Sequence, residues 1–408
     1  MLVTRNFQRG GRIVKKLELY IHIPFCVKKC DYCDFLSAPS DDKTKKLYVD
    51  ALIREIELSR KQMEKYIIDT VFIGGGTPSI LDDEMLSEIM KALKANCHME
   101  EDAEITIECN PGTVTEENLL AYKESGINRI SFGLQSANDS ELKSIGRIHS
   151  YAQFLESYRL ARKCGFQNIN IDLMSALPGQ TEKSYKDTLE KIIGLNPEHI
   201  SAYSLIVEEG TELKKKVDSA MAKGNYILPK EDEERRMYYM TKTMLERAGY
   251  SRYEISNYAK NGYKCRHNEG YWKRKEYLGF GIGAASLYKE ERYNNIAKID
   301  FYIEEMLENS SDTDGRLQEN VLESIRENHQ KLSKQEQMEE FMFLGLRITE
   351  GISIEEFEKQ FDVSLKEIYG AQTDKLISQR LMKEEDGNLF LTERGIDISN
   401  YVMAEFLF

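Results

Sequence analysis

The chain has no run of apolar residues approaching the roughly 18 that a membrane span needs. Its first residues, MLVTRNFQRGGRIVKK, lack the apolar core of a secretory signal. Basic residues are in deficit: Lys+Arg 56 against Asp+Glu 69 gives a net charge of −13. That balance weighs against non-specific nucleic-acid or anionic-surface binding, which is driven by positive charge, so no nucleic acid is expected as a partner. The seven cysteines are odd in number and form no paired framework, which fits reduced thiols and a cytoplasmic setting. There is no solenoid-length repeat and no low-complexity tract. The 408 residues are enough for two or three domains, each with its own core.

Three of the cysteines are crowded into YIHIPFCVKKCDYCDF. Cys26, Cys30 and Cys33 stand in C-x-x-x-C-x-x-C spacing directly after a short apolar strand. Three thiolates on one loop can face one soft metal centre. Zinc would want a closed tetrahedral set, and the remaining cysteines, Cys97, Cys109, Cys164 and Cys265, are single; only Cys265 with His267 offers a completion. A [4Fe–4S] cluster ordinarily takes four cysteines, so a three-cysteine loop leaves one iron open to an outside ligand. The spacing, with Tyr32 before the third cysteine, resembles the cluster loop of the radical S-adenosylmethionine (SAM) superfamily. The resemblance implies a [4Fe–4S] cluster whose open iron is chelated by SAM, and which on reduction releases a 5′-deoxyadenosyl radical.

Strand-like runs recur at Glu18–Ile23, Thr70–Ile73, Glu104–Cys109, Arg129–Phe132, Asn168–Met174 and His199–Ser204. Helical periodicity fills the gaps at Lys43–Met63, Leu81–Asn96, Glu116–Glu124, Tyr151–Cys164 and Glu182–Gly194. This alternation predicts a parallel α/β sheet with right-handed crossovers. Distinctive polar clusters follow the strands: the cysteine loop, Gly74-Gly75-Gly76-Thr77-Pro78, Glu108-Cys109-Asn110-Pro111-Gly112, Gly133-Leu134-Gln135-Ser136 and Asp172. Parallel barrels gather their chemistry on that face. The superfamily resemblance implies a partial (β/α)6 barrel of the TIM type.

Four segments are expected: an N-terminal extension at 1–16, the barrel at 17–225, a further region with connector at 226–330, and a winged-helix-like α+β module at 331–408. Charged helices are expected at Glu208–Gly224 and Lys230–Ala248, and helices or a mobile connector over 295–335. The tail reads as helices through Arg347, at Ile354–Phe361 and at Leu365–Leu381. Strands Met382–Glu385 and Asn388–Leu391 then turn on Asp386-Gly387.

The glycine run Gly74–Gly76 lets backbone approach a ligand without a Cβ in the way. It is no nucleotide P-loop, and it resembles the superfamily's loop for the SAM amino group. A zwitterionic methionine needs an acceptor and a donor, and ribose hydroxyls want a carboxylate or amide. Arg147 suits the carboxylate, Glu108 or Asp172 the hydroxyls, and Gln135 sits at a neighbouring strand end.

The motifs YIHIPFC, GGGTPS, IECNPGT, FGLQSAND, IDLMSALPGQT and ISAYSLIVEEGT together resemble the oxygen-independent coproporphyrinogen III dehydrogenase family. The resemblance runs from about Tyr20 to Ser286 and continues in the tail. It implies cluster ligands Cys26, Cys30 and Cys33, and SAM contacts at Tyr20, Tyr32, Gly75, Gly76, Thr77, Glu108, Gln135, Arg147 and Asp172. Two departures matter. Phe35 stands where the dehydrogenases have a further cysteine, and only 19 residues precede Tyr20 where they carry a longer arm. Both point to the sister branch, the HemW-type heme chaperones, rather than to decarboxylation of coproporphyrinogen propionates.

HNEGYW, at His267–Trp272, is similar to the H-N-x-x-Y-W motif of that branch. His267 offers an imidazole for haem iron, and Tyr271 with Trp272, the one tryptophan, offers flat apolar surface. A buried turn packed for stability would use the same residues, and His22 reads as a core or supporting residue. The branch implies heme as cargo, acceptor proteins that include membrane-associated ones, peripheral membrane association and an electron donor for the cluster.

Overall fold

A computed structural model describes residues 15–308 and 315–407, together with the backbone of a two-strand hairpin at Gln8–Arg9 and Arg12–Ile13. Apart from that hairpin and Lys15–Lys16, the expected extension 1–16 lies outside the described residues.

Six parallel strands run in chain order: β1 (Lys15–Ile23), β2 (Tyr66–Gly75), β3 (Met99–Cys109), β4 (Arg129–Gln135), β5 (Asn168–Ser175) and β6 (His199–Ser204). Each pairs in parallel with the next, giving the partial barrel. Alternation decides the faces. Leu17, Leu19, Ile21 and Ile23 are fully buried, while Glu18, Tyr20 and His22 of the same strand take the other face. Helices between the strands start on side-chain caps, which satisfy amide groups the helix itself cannot. Asp41 accepts from the Thr44 N–H and Asp82 from the Met85 N–H, and capping boxes open the helices after Thr115, Ser150 and Thr181. The predicted helix Lys43–Met63 divides at Ser59 into Asp42–Leu58 and Arg60–Met63.

The sheet does not stop at six strands. β7 (Ser251–Arg252) and β8 (Asn257–Ala259) extend the β6 edge antiparallel. β9 (Tyr277–Phe280) lies parallel to β1 at the opposite edge, followed by antiparallel β10 (Ala285–Tyr288), β11 (Glu291–Asn295) and β12 (Arg326–Lys331). One stretch, 251–288, therefore reaches both edges of the barrel sheet. Between β8 and β9 it forms a short helix, Arg266–Trp272, which is the HNEGYW segment. The expected connector holds helices Ile299–Leu307 and Gly315–Ser324, and β12, which sequence reading missed. β12 is almost wholly exposed and entirely polar, so no apolar alternation marks it.

The tail has its own core, with Met342, Phe357, Tyr369, Leu376, Val402 and Phe406 at its centre. Helices Lys334–Gly345, Ile354–Phe361 and Leu365–Ser378 precede the hairpin Met382–Glu385/Asn388–Leu391. Asp386 and Gly387 both take positive φ, 50° and 75°, as a two-residue turn between twisted strands requires. Two short helices, Glu393–Asp397 and Ser399–Ala404, were not anticipated. Among the described residues no helix is long and apolar enough to cross a membrane.

Candidate functional site

The cysteine loop leaves β1 at Ile23 and is tied down at several points. The Cys26 N–H donates to the Ala38 carbonyl at 3.2 Å, and the Ala38 N–H returns to Pro24 at 2.9 Å. Between the second and third cysteines, the Asp31 N–H donates to Ile145, the Asp31 carbonyl accepts from Leu213, and its carboxylate pairs with Lys216 at 2.5 Å. Beneath the loop, His22 holds it through one nitrogen and is itself held through the other. The Leu36 carbonyl can only accept, so Nε2–H of His22 donates to it at 2.9 Å; Nδ1 then accepts from the Tyr20 hydroxyl at 3.0 Å.

Cys26, Cys30 and Cys33 line one cavity. Tyr32, Gly75, Gly76, Thr77, Glu108, Gln135, Arg147 and Asp172 line it too. Tyr20 does not. It lies a layer lower in the barrel, stacked on Phe72 with ring centroids 6.4 Å apart, and supports the wall through His22.

Glycine is required twice in this wall. At Gly75 φ is +107°, and an added Cβ would sit 2.4 Å from the His22 ring. At Gly76 a Cβ would lie 2.4 Å from the Phe25 carbonyl oxygen and 2.8 Å from that of Ile23. The next wall is carboxylate. Glu108 accepts from the Gly75 N–H at 3.0 Å, and burial, with the neighbouring Asp172 charge, pushes its carboxyl up to about 7. Burial also raises Asp172, against hydrogen bonds from Ser131 at 3.2 Å and Asn170 at 2.7 Å. Arg147 faces them as the cation: it donates to Asn110 at 2.8 Å, to the Gly133 carbonyl, and to the Cys30 sulfur at 3.5 Å, while its buried Nε has no partner.

The donor set fits a cluster with SAM. The three thiols share a wall, yet among the described residues no three His, Cys, Asp or Glu groups converge on a point that could hold one ion. In a polynuclear cluster each thiolate takes its own iron, so the three thiols need not converge on one point. A cation and two carboxylates around a glycine cradle suit a zwitterion with a ribose. Sequence reading missed Asn110 as a site residue, although the Glu-Cys-Asn-Pro-Gly turn contains it; its amide donates to Thr77 Oγ1 at 2.7 Å and accepts from Arg147. Ser131 and Gly133 also line the cavity; Gly133 lies in the strand-end cluster already noted, while nothing in the sequence marks Ser131.

The expected heme residues stand elsewhere, at the other end of the barrel. The helix Arg266–Trp272 closes the end where strands begin. Arg266 and His267 N–H groups donate to Glu104 at 3.1 and 3.2 Å, and the Arg266 guanidinium donates to the Asp69 carbonyl at 2.6 Å. Glu18 leaves no room for a Cβ at Gly270. From Glu18 to Ile23 is roughly 16 Å of strand, which separates this floor from the cysteines. His267 is buried and stacked on Phe72 at 5.2 Å; its Nδ1 meets the Thr70 hydroxyl at 2.7 Å and its Nε2 the Tyr271 hydroxyl at 2.9 Å. Burial lowers its basicity, holding its pKa near about 3. Both ring nitrogens of His267 are thus engaged by neighbouring hydroxyls. Cys265 is equally buried, its thiol donating to Glu104. Trp272 lies beneath the Arg347 guanidinium, 4.3 Å from the ring centroid, and so meets the C-terminal module.

A radical SAM superfamily model matches residues 20–192, and a HemN C-terminal domain model matches residues 332–398. The heme chaperone HemW of Lactococcus lactis subsp. lactis is 36% identical over 393 residues, covering 96% of this chain and 98% of that one. Its Bacillus subtilis counterpart is 36% identical over 394 residues, covering 95% and 98%. Among solved structures, coproporphyrinogen III oxidase (HemN) from Escherichia coli, a radical SAM enzyme, aligns with a TM-score of 0.82 over 96% of this chain and 90% of that one. At 22% identity that is a likeness of fold.

Proposed function

The chain belongs to the HemW heme chaperone family of the radical SAM superfamily, and from that premise we propose that it binds heme and hands it to acceptor proteins. The observation that carries this reading is identity of 36% along nearly the whole of two chaperones. Phe35, 63% exposed beside the cysteines, adds to it, since an aromatic side chain there cannot serve as the dehydrogenases' extra thiol.

Cys26, Cys30 and Cys33 hold the [4Fe–4S] cluster in this reading, and an electron donor reduces it. SAM lies over Gly75, Gly76 and Thr77, with Arg147 toward its carboxylate and Glu108, Gln135 and Asp172 toward its polar groups. When bound, the pair supplies one-electron chemistry at the mouth of the barrel. The protein's own part is to hold the loop still through His22, Asp31 and Ala38, and to keep Arg147 facing the thiolates. The HNEGYW helix serves as the barrel's floor and as its brace to the C-terminal module. Domains follow the same plan: the barrel at 17–225, the sheet-extending region at 226–330 and the C-terminal module at 331–408.

Transfer tests the reading. Heme-loaded protein mixed with apomyoglobin should show its Soret band convert to that of the holo-globin faster than free heme release allows. Heme that never binds, or that leaves only at the spontaneous rate, refutes the chaperone role.

A further inference from the structure

The mouth of the barrel carries an apolar rim that the cofactor cavity does not consume. Val27 is 58% exposed, Ile148 60% and Ile206 69%, and Phe35, Leu36 and Tyr203 are exposed as well. All lie at, or in the segments after, the C-terminal ends of barrel strands. Val27 and Ile148 face a common cleft with Cys30, and Phe35 lines the cysteine cavity. Ile206 stands between Leu205 and Val207, which pack in one cluster with Tyr32 of the cysteine loop, and Tyr203 ends β6 one strand from Asp172. Exposed apolar groups concentrated at one mouth mark a binding surface rather than random scatter. Positive charge gathers there too, on a chain of net charge −13: Lys28 and Lys29 line the same cavity.

We propose that this rim is the heme-docking surface, with the macrocycle over Val27, Phe35, Ile148 and Ile206 and the propionates toward Lys28 and Lys29. This rests on the heme-carrying reading. A flat apolar disc with an anionic edge matches an apolar rim with a cationic side, and exposed ammonium groups orient such an edge more than they hold it. The rim's one imidazole is His149, which lines the cleft of Val27 and Ile148. His22, His199 and His267 have both ring nitrogens engaged, and His149 is buried against the Leu134 carbonyl. His98 precedes β3 at the opposite end, and His329 lies on edge strand β12 beside Glu291 and Glu323. With no second imidazole at the rim, one axial position of the iron is left for an acceptor's own ligand.

The experiment compares heme titrations of the cluster-loaded wild type, an Ile148→Asp/Ile206→Asp double variant, and Leu120→Asp, an exposed apolar change on a distant helix. The double variant should bind heme at least about tenfold more weakly, from lost apolar contact, while SAM affinity and cluster absorption stay at wild-type values. Leu120→Asp and His267→Ala proteins that fold should bind as wild type does, and the bound heme should lack the low-spin bis-imidazole spectrum. Bound heme should also speed the spin relaxation of the reduced cluster, which a heme at the barrel floor would affect far less. Wild-type affinity in the double variant, or relaxation unchanged by heme, overturns the docking site while leaving the chaperone reading intact. Failure of the wild type to bind heme at all overturns the chaperone reading itself.

Discussion

Replacing Gly76 with alanine adds one methyl group at the point where the cysteine loop meets the SAM cradle. The backbone there is not in the left-handed region, so the methyl is opposed by contact alone. It would lie 2.4 Å from the Phe25 carbonyl oxygen and 2.8 Å from the Ile23 carbonyl oxygen, both main-chain atoms that cannot swing aside. Those two carbonyls also accept from the N–H groups of Thr77 and Gly76, at 2.7 and 2.8 Å. To make room, the end of β1 must part from the end of β2, stretching both bonds and moving the residue next to Cys26. Overpacking of this kind costs about 1–3 kcal/mol. The change should therefore lower unfolding free energy by that amount, and lower cluster loading and SAM affinity together. Gly179→Ala is the control: φ is +73° but nothing lies within 4 Å of its Cβ, so it carries only backbone strain of about 1 kcal/mol. Urea titration, iron content and SAM binding of both variants decide the matter. Gly76→Ala protein with wild-type stability, iron and SAM affinity would refute the close-approach argument.

Three further outcomes are expected. Alanine at Cys26, Cys30 or Cys33 should abolish the ~400 nm absorption of the reconstituted cluster, read by anaerobic spectroscopy and iron counting. Burial lifts the Glu108 carboxyl from 4.5 to about 7 in the folded chain, so this group's contribution to stability is present below about pH 4.5 and is lost as pH rises through about 7, a change of about 3 kcal/mol. Urea titrations of wild type and Glu108→Gln across pH 4 to 8 measure that slope, which the variant should lack, and SAM, a cation beside Glu108, should bind wild type more tightly at pH 8 than at pH 6. Glu55→Ala should cost roughly 3 kcal/mol in urea, because the buried carboxylate accepts from the Gly281 N–H at 2.8 Å, Asn295 at 2.7 Å and Tyr302 at 2.6 Å.

The barrel was legible in the sequence because parallel strands buried on both faces read as apolar runs and their helices as periodic ones. Strand His199–Ser204 and helix Glu116–Glu124 have the expected bounds. The cofactor cavity was legible for the same reason, since successive strand ends must share a face. What failed was long-range placement. No local pattern tells that Tyr277–Phe280 pairs in parallel with a strand some 260 residues earlier, or that HNEGYW packs against Glu104 at the end where the strands begin. His267 reads as a ligand in the sequence because a histidine beside aromatics suits haem. Its two hydrogen bonds, to Thr70 and Tyr271, depend on one partner 197 residues away. Tyr20 lay in a motif whose neighbours line the cavity, yet strand alternation puts it on the layer beneath.

The central claim, a carrier of heme and not a maker of its precursor, meets its most direct test in one anaerobic assay. Reconstituted protein with SAM and reductant is given coproporphyrinogen III and heme together, and porphyrin products and bound heme are read over time. The account predicts stoichiometric heme retained on the protein and coproporphyrinogen III left unconsumed. Multiple SAM-dependent turnovers to protoporphyrinogen would contradict it.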